Sequence, residues 1–317
     1  MRRVLIIASG GGHTGFARAI AQFMPFKVDF VVPEGDRQSV EVLKPYANAF
    51  YEVVKGREPG EPLSKLLVNL PKAVAQSFAL AKYDVVIATG SNHSIFPSLA
   101  EKLKGAKVFA VESQDRFVTK GKAVSIISSF AERVFLHWEA QKKLYPKKGR
   151  VVGPIVERPK YTPKDEGFVL VTTGSMGFMR LYQALSKLGM DNVVIQTGRV
   201  RVDDVKALNP RWEVFSFDPD IERWISRASV VVTHQGKTAM EAVVMYQKPT
   251  VIVYNRDWKQ AASFKDSRLY AETLGAAFLD DPSKWESAQV LKKALEEVRP
   301  PKKFEVGTPK LVEEVLR

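Results

Sequence analysis

Short, uninterrupted apolar runs recur along the chain, separated by stretches in which apolar residues return every three or four positions. "VLIIAS", "KVDFVVP", "DVVIATG", "KVFAVES" and "RVFLHW" read as strands, and "RVVGPIV" closes this half. Between them, "TGFARAIAQFM", Leu63–Leu80, "SIFPSLAEKLK" and "AVSIISSFA" carry the helical period. After a stretch rich in proline and charge, Gly153 to Gly167, the pattern restarts. "FVLVTTG", "NVVIQTG", "WEVFSF", "SVVVTHQG" and "PTVIVYN" are the strands of the second half. "FMRLYQALSKLG", "DIERWISRA", "KTAMEAVVMY" and "SRLYAETLG" are its helices, and the tail from Ser283 reads as one or two more. Continuous apolar strands alternating with helices mean a parallel sheet covered on both faces. The expectation is an α/β chain of two doubly wound, Rossmann-like domains. Residues 1–155 form the first, and residues 156–317, with the C-terminal helices, form the second.

In such sheets ligands bind outside the carboxyl ends of the strands. Four loops at those ends are rich in glycine or hydroxyls: Ser9 to Gly15, Thr89 to Ser94, Thr172 to Gly177 and Thr233 to Glu241. Each leads into a helix, whose free N–H groups and dipole favour phosphate. None fits a P-loop, and "GGGHTG" lacks the dinucleotide spacing, so a nicotinamide dehydrogenase is a poor fit. His13 follows three glycines and is read as a loop histidine, a cap or a general base; an imidazole titrates near working pH. Glu112 in "VESQDR" either pairs with Arg116 or, at the carboxyl end of a strand, serves a ligand or acts as a base. Ser91 and His93 either cap a helix or touch a phosphate, Gly174 and Ser175 either shape a turn or touch a phosphate at a helix start, and Arg199 is a surface arginine or a phosphate contact.

Composition narrows the chemistry. The 317 residues suit two domains, and there is no cysteine, which removes disulfides, thiolate metal sites and a cysteine nucleophile. Only His13, His93, His137 and His234 are present, without metal-ligand spacing, so no metal or other cofactor is expected. "DPD", Asp218 to Asp220, formally matches a metal-binding Asp-x-Asp but opens a helix, where capping explains it. Lys and Arg outnumber Asp and Glu by 48 to 35, a net charge of +13, which suits an anionic partner. The charge is spread out, and no nucleic-acid signature accompanies it. No apolar stretch reaches spanning length, so a cytoplasmic protein is expected.

The order of these motifs resembles a known family. "SGGGHTG", "TGSNHSIFPSLA", "VFAVESQDRFVTKGKAVSIISSFAERVFLHW" and "LYPKKGRVVGPI" resemble the membrane-recruiting subunit of the two-subunit UDP-GlcNAc transferase of dolichol-linked oligosaccharide assembly. "VTTGSMGF", "VIQTGR", "THQGKTAMEAVVMYQKPTVIVYN" and "LYAETLG" resemble its catalytic, donor-binding partner, so the chain looks like both subunits fused. More distantly it is similar to the bacterial peptidoglycan UDP-GlcNAc transferase. The resemblance implies the GT-B fold, donor nucleotide in the second domain and acceptor facing the first. It implies an inverting, metal-independent transfer of GlcNAc from UDP-GlcNAc to a polyisoprenyl (di)phosphate-linked GlcNAc, in N-glycan assembly at the cytoplasmic membrane face.

Carried onto this chain, His13 or Glu112 removes the acceptor proton, and Gly11, Gly12, Thr14, Ser91, His93 and Arg116 bind the acceptor. Gly174, Ser175 and Arg199 touch the donor, His234, Gly236, Lys237 and Thr238 hold the departing diphosphate, and Glu241 binds the ribose. Two features depart from the family: no N-terminal membrane helix, and "KDS", Lys265 to Ser267, where the family has Asn-His-Gln against the donor. Membrane contact would then come from apolar and basic surface around Leu63–Tyr83 and Lys120–Phe130. The rival expectations are a UDP-GlcNAc 2-epimerase of the same fold and a non-enzymatic nucleotide-sugar or nucleic-acid binding protein.

Overall fold

The computed structural model of the chain describes residues 2–56, 63–259 and 262–317. It divides into two units, Met1–Glu157 with Val306–Arg317, and Arg158–Glu305. The first contains β1 (Val4–Ile7), α1 (Gly11–Phe23), β2 (Val28–Pro33), α2 (Arg37–Leu43), β3 (Ala47–Val53), α3 (Leu63–Phe78) and β4 (Val85–Ala88). It continues with α4 (Ile95–Leu103), β5 (Lys107–Val111), α5 (Lys122–Ile127), β6 (Arg133–Leu136) and β7 (Gly149–Val151). The strands form one sheet in the order β3-β2-β1-β4-β5-β6-β7, and every pairing is parallel.

The second unit contains β8 (Val169–Thr172), α6 (Met179–Ser186), β9 (Val193–Gln196), α7 (Val202–Lys206), β10 (Glu213–Phe215) and α8 (Glu222–Arg227). It ends with β11 (Val230–Thr233), α9 (Lys237–Met240), β12 (Thr250–Val253), α10 (Phe264–Leu274), β13 (Ala277–Leu279) and α11 (Gln289–Glu297). Its parallel sheet runs β10-β9-β8-β11-β12-β13.

The two orders share one logic. Each sheet winds outward from its first strand in one direction, then returns to that strand's other side, between β1 and β4 and between β8 and β11. At that reversal the loops on either side part, and a ligand can enter. Strands β1, β4, β8 and β12 are buried at every position, which is why they read as unbroken apolar runs. Each fully buried Val, Leu or Ile contributes about 1.5–3 kcal/mol of transfer free energy.

Two strands escaped the apolar pattern. Strand β3, "ANAFYEV", lies at a sheet edge, and most of its side chains are only half-buried. Strand β13 has three residues, all half-buried, at the edge of the second sheet. Helix α3 continues through Pro71. The tail forms α11 and α12 (Thr308–Leu316), but α12 does not stay with the second unit as expected. It belongs to the first: Gly307 N–H donates to the Pro154 carbonyl (2.7 Å), and the Thr308 hydroxyl donates to the Val156 carbonyl (2.7 Å). Arg150 also pairs with Glu314 on α12.

Candidate active-site residues

The four loops singled out in the sequence follow β1, β4, β8 and β11. They are the loops that flank the reversal point of each sheet.

In the first unit, His13 lies in the opening turn of α1 and is partly exposed. Its ring Nδ1 is 2.6 Å from the Thr89 carbonyl at the end of β4. A carbonyl oxygen only accepts, so Nδ1 carries the proton and Nε2 is left as the basic nitrogen. Burial holds the imidazole below its usual 6.5, against the Thr89 bond that raises it; Lys55 and Arg116 lower it further by repulsion. The ring is neutral at neutral pH, as a proton acceptor must be.

The loop after β4 is shaped around that ring. A Cβ on Gly90 would stand 2.7 Å from His13 Cε1, and Gly90 has φ +109°. Ser91 follows with φ 69° and ψ 154°, a region populated essentially by glycine. Such strain persists only where surrounding structure imposes it. Here the Ser94 hydroxyl donates to the Gly90 or Ser91 carbonyl, both at 2.7 Å. Gly11 and Gly12 are exposed.

Several expected ligands prove structural. Glu112, expected as base or acceptor ligand, has no exposed surface. Its carboxylate accepts from the Tyr145 hydroxyl (2.5 Å), the Ser113 N–H (2.8 Å) and the Gly121 N–H (3.0 Å). Burial pushes its proton affinity up while these bonds and Arg116 oppose it. It therefore ties down both ends of the loop from Ser113 to Gly121 and offers nothing to an acceptor.

His93, expected at a diphosphate, is buried with both nitrogens committed, Nδ1 to Ser9 Oγ (3.2 Å) and Nε2 to the Val53 carbonyl (2.9 Å). Burial lowers its pKa to about 4. It joins the carboxyl ends of β1 and β3 to the β4 loop. Thr14 is buried too, its oxygen accepting from Gly10 N–H (3.1 Å) and meeting Ser39 Oγ (2.7 Å). Arg116 is half-exposed and donates to Thr119 Oγ1 (2.7 Å). His137 is buried: Nδ1 accepts from the Ile155 N–H (3.2 Å), so Nε2 donates to the Glu112 carbonyl (3.1 Å).

The sequence reading missed Asp115. It is buried, its Oδ1 has no hydrogen-bond partner, and burial raises its pKa to about 6. Only its place beside Glu112 in "ESQDR" hinted at it.

In the second unit, Gly174, Ser175, Gly198 and Arg199 belong to two interlocked turns. Arg199 N–H donates to the Ser175 carbonyl (2.9 Å), and a Cβ on Gly177 would stand 2.2 Å from the Thr197 carbonyl. The Ser175 and Arg199 side chains are exposed.

His234 sets its ring between its own loop and the loop after β8: Nε2 is 3.4 Å from where a Gly236 Cβ would be and 3.0 Å from a Gly174 Cβ. Its Nδ1 is buried without a partner, and burial lowers its pKa to about 4. Gly236 is held by its carbonyl, which accepts from the Tyr270 hydroxyl (3.0 Å). Lys237, buried at the start of α9, is ion-paired with Glu241 one turn on; Thr238 is half-buried beside it. Glu241 opens a π turn, Glu241–Met245, a local unwinding common at functional sites.

Asp266 and Ser267 of "KDS" are buried in the cap of α10: Asp266 N–H donates to Ser263 Oγ (3.1 Å), and the Ser267 hydroxyl donates to the Ser263 carbonyl (2.8 Å). Only Lys265 of the three is exposed. In "DPD", Asp218 accepts from Asp220 N–H (2.8 Å) and Trp224 Nε1 (2.8 Å), a turn-capping role.

Residues 168–306 match the family described as the glycosyltransferase family 28 C-terminal domain. The chain is 26% identical over 208 residues to a UDP-N-acetylglucosamine–N-acetylmuramyl-(pentapeptide) pyrophosphoryl-undecaprenol N-acetylglucosamine transferase of Thermotoga maritima, covering 62% of this chain and 59% of that protein. It therefore spans about three-fifths of the length of that relative. The same-named protein of a Sulfurihydrogenibium species is 25% identical over 94% of this chain and 90% of its own length. Among solved structures, Acinetobacter baumannii MurG superimposes with a TM-score of 0.65 at 19% identity, covering 100% of this chain and 99% of that one. The Methanocaldococcus jannaschii UDP-GlcNAc 2-epimerase, solved with UDP-GlcNAc and UDP, gives 0.63 at 15% identity, covering 99% and 98%. These likenesses establish the fold, two parallel-sheet Rossmann-like domains of the GT-B kind.

Proposed function

We propose that the chain is an inverting, metal-independent glycosyltransferase. It moves GlcNAc from UDP-GlcNAc, bound by the second unit, to a sugar carried on a polyisoprenyl (di)phosphate, bound by the first. The observation that carries this reading is the family 28 match across residues 168–306, which covers both donor loops. The neutral His13, with Nε2 left basic by the Thr89 bond, supports a base in the first unit. His13 Nε2 takes the proton of the acceptor hydroxyl. The oxygen attacks the anomeric carbon, the carbon–oxygen bond to the diphosphate breaks, and UDP leaves with the electron pair. One displacement inverts the anomeric centre. Exposed Ser175, the N–H groups around Gly236 and the Lys237 ammonium stabilise the leaving charge. Glu241, paired with Lys237, is positioned to accept from the ribose hydroxyls.

Membrane contact is read from the surface outside the site. Helix α4 packs against both α3 and α5, and Val68, Phe78, Leu99, Leu103 and Ile126 on these helices are exposed, with Lys122 at their edge. Among the described residues no helix is long and apolar enough to cross a membrane. Such a surface suits peripheral docking on an anionic bilayer at its cytoplasmic face. Whether the carrier is dolichol-type, in N-glycan assembly, or of the bacterial type follows from the acceptor accepted. The 2-epimerases share the fold, but the family match favours transfer. UDP-GlcNAc alone, followed by proton NMR, separates the two. The transferase reading expects no N-acetylmannosamine, and its accumulation without acceptor would replace that reading with epimerisation.

A further inference from the structure

A cleft of about 450 Å³ lies at the amino ends of β5 and β6, the end of the first sheet opposite the candidate loops. Small-ligand sites occupy roughly 300–1,000 Å³. The walls follow from the strand period. Lys107 and Phe109 point to one face of β5, and the register sets Phe109 beside Arg133 on β6 and Phe135 beside Arg150 on β7. The Phe109 and Phe135 rings stack 5.6 Å apart on that face. Val108, Ala110, Val134 and Leu136 point the other way, into the core that α4 and α5 cover. Glu314 and Arg317 of α12 form the far wall of the cleft.

Charge in the cleft is unbalanced. Its two carboxylates are taken: Glu314 pairs with Arg150, and Glu132 pairs with Lys102 (2.8 Å), which stands outside it. The Lys102 bond, helped by the charges of Lys148 and Lys107, holds Glu132 below the usual carboxylate range. Arg317 pairs with Glu313. Among the described residues Lys107 is in no ion pair, and Arg133 donates only to the Glu132 carbonyl (3.1 Å). Two exposed cations on neighbouring strands thus face one cleft without a carboxylate partner.

We propose that this cleft binds the doubly charged phosphate ester group of a small soluble molecule, with Lys107 and Arg133 as its two ligands and Phe109 against the ester's organic part. An ammonium and a guanidinium match a dianion in charge, and the guanidinium fork takes phosphate oxygens in pairs. A lipid headgroup fits the placement less well. The exposed Leu99, Leu103 and Ile126 that would meet a bilayer lie on α4 and α5, over the sheet's other face. The cleft shares no residue with the proposed transfer reaction, so it stands whether or not that reading holds.

The test is calorimetric titration with phenyl phosphate at about pH 8, where a phosphate ester is doubly charged. The wild type should bind phenyl phosphate, and more tightly than inorganic phosphate. Lys107→Gln and Arg133→Gln should each weaken that binding about tenfold or more, with an unchanged melting temperature. Arg133→Lys should keep part of the affinity. Lys142→Gln, which removes an exposed lysine beyond the carboxyl end of β6, should bind like wild type. Sedimentation with phosphatidic acid vesicles separates the two sources of phosphate: a soluble ligand expects wild type and both glutamine variants to sediment equally. The proposal is overturned if the wild type binds no phenyl phosphate, if it binds inorganic phosphate equally well, or if neither glutamine variant weakens binding. Vesicle binding lost in both variants would hand the cleft to a lipid headgroup and overturn it too.

Discussion

At the scale of single residues, the two candidate bases part company. His13 presents a free basic nitrogen, whereas Glu112 is enclosed by Tyr145 and two backbone N–H groups. His13→Ala should lower turnover by about 10²–10⁴-fold with an unchanged melting temperature. Glu112→Ala should instead destabilise the fold by about 2–4 kcal/mol, since a buried hydroxyl and two N–H groups lose their acceptor. Wild-type activity should fall on the acid side with an apparent pKa below the free-imidazole 6.5, because burial disfavours the imidazolium.

Asp115 gives a stability prediction with a definite sign. Its native pKa, about 6, lies above the unfolded 3.8, so the native state binds the proton more tightly. Its contribution is full below pH 3.8 and is lost as pH rises through 6. At pH 7.5 Asp115→Asn should stabilise by about 1–3 kcal/mol, a gain that vanishes at pH 3.5. Denaturant melts at both pH values check it; equal gains would mean the carboxylate is not the cause. The sequence located Glu112 at a strand end but could not tell which way it turned. Its partner Tyr145 lies 33 positions on, and no local pattern links them.

At the scale of elements, the four candidate loops were legible because glycine and hydroxyl residues mark them at strand ends. Their placement beside the sheet reversals was not, since strand order depends on pairing between distant segments. Strands β3 and β13 were missed because edge strands are covered less fully and lose the apolar signature. The β4 loop makes the local conflict visible: Gly90 and Ser91 both take positive φ, and the missing side chain of Gly90 leaves room for the His13 ring. Ser91→Gly should stabilise by about 1 kcal/mol, strain relief partly offset by chain entropy. Gly90→Ala should do the opposite, with lost activity, because its Cβ meets the ring. Calorimetry on both variants tests this; a stabilised Gly90→Ala would contradict the geometry.

At the scale of the whole molecule, the restart of the apolar pattern after Gly167 showed two domains. The return of α12 to the first unit left no local trace, because the Val156–Thr308 bonds that fix it span 152 positions. The residues proposed for the acceptor lie in the unit with the exposed apolar helix surface, and those proposed for the donor in the unit that matches the family 28 domain. The most direct measurement joins both halves in one reaction. Purified protein is incubated with UDP-GlcNAc, a short phytanyl-diphosphate-GlcNAc acceptor and EDTA, and the products are weighed by mass spectrometry. The account predicts a product one GlcNAc heavier, formed without metal and lost in His13→Ala. UDP binding without any transfer to this or a bacterial-type lipid acceptor, or transfer abolished by EDTA alone, would contradict it.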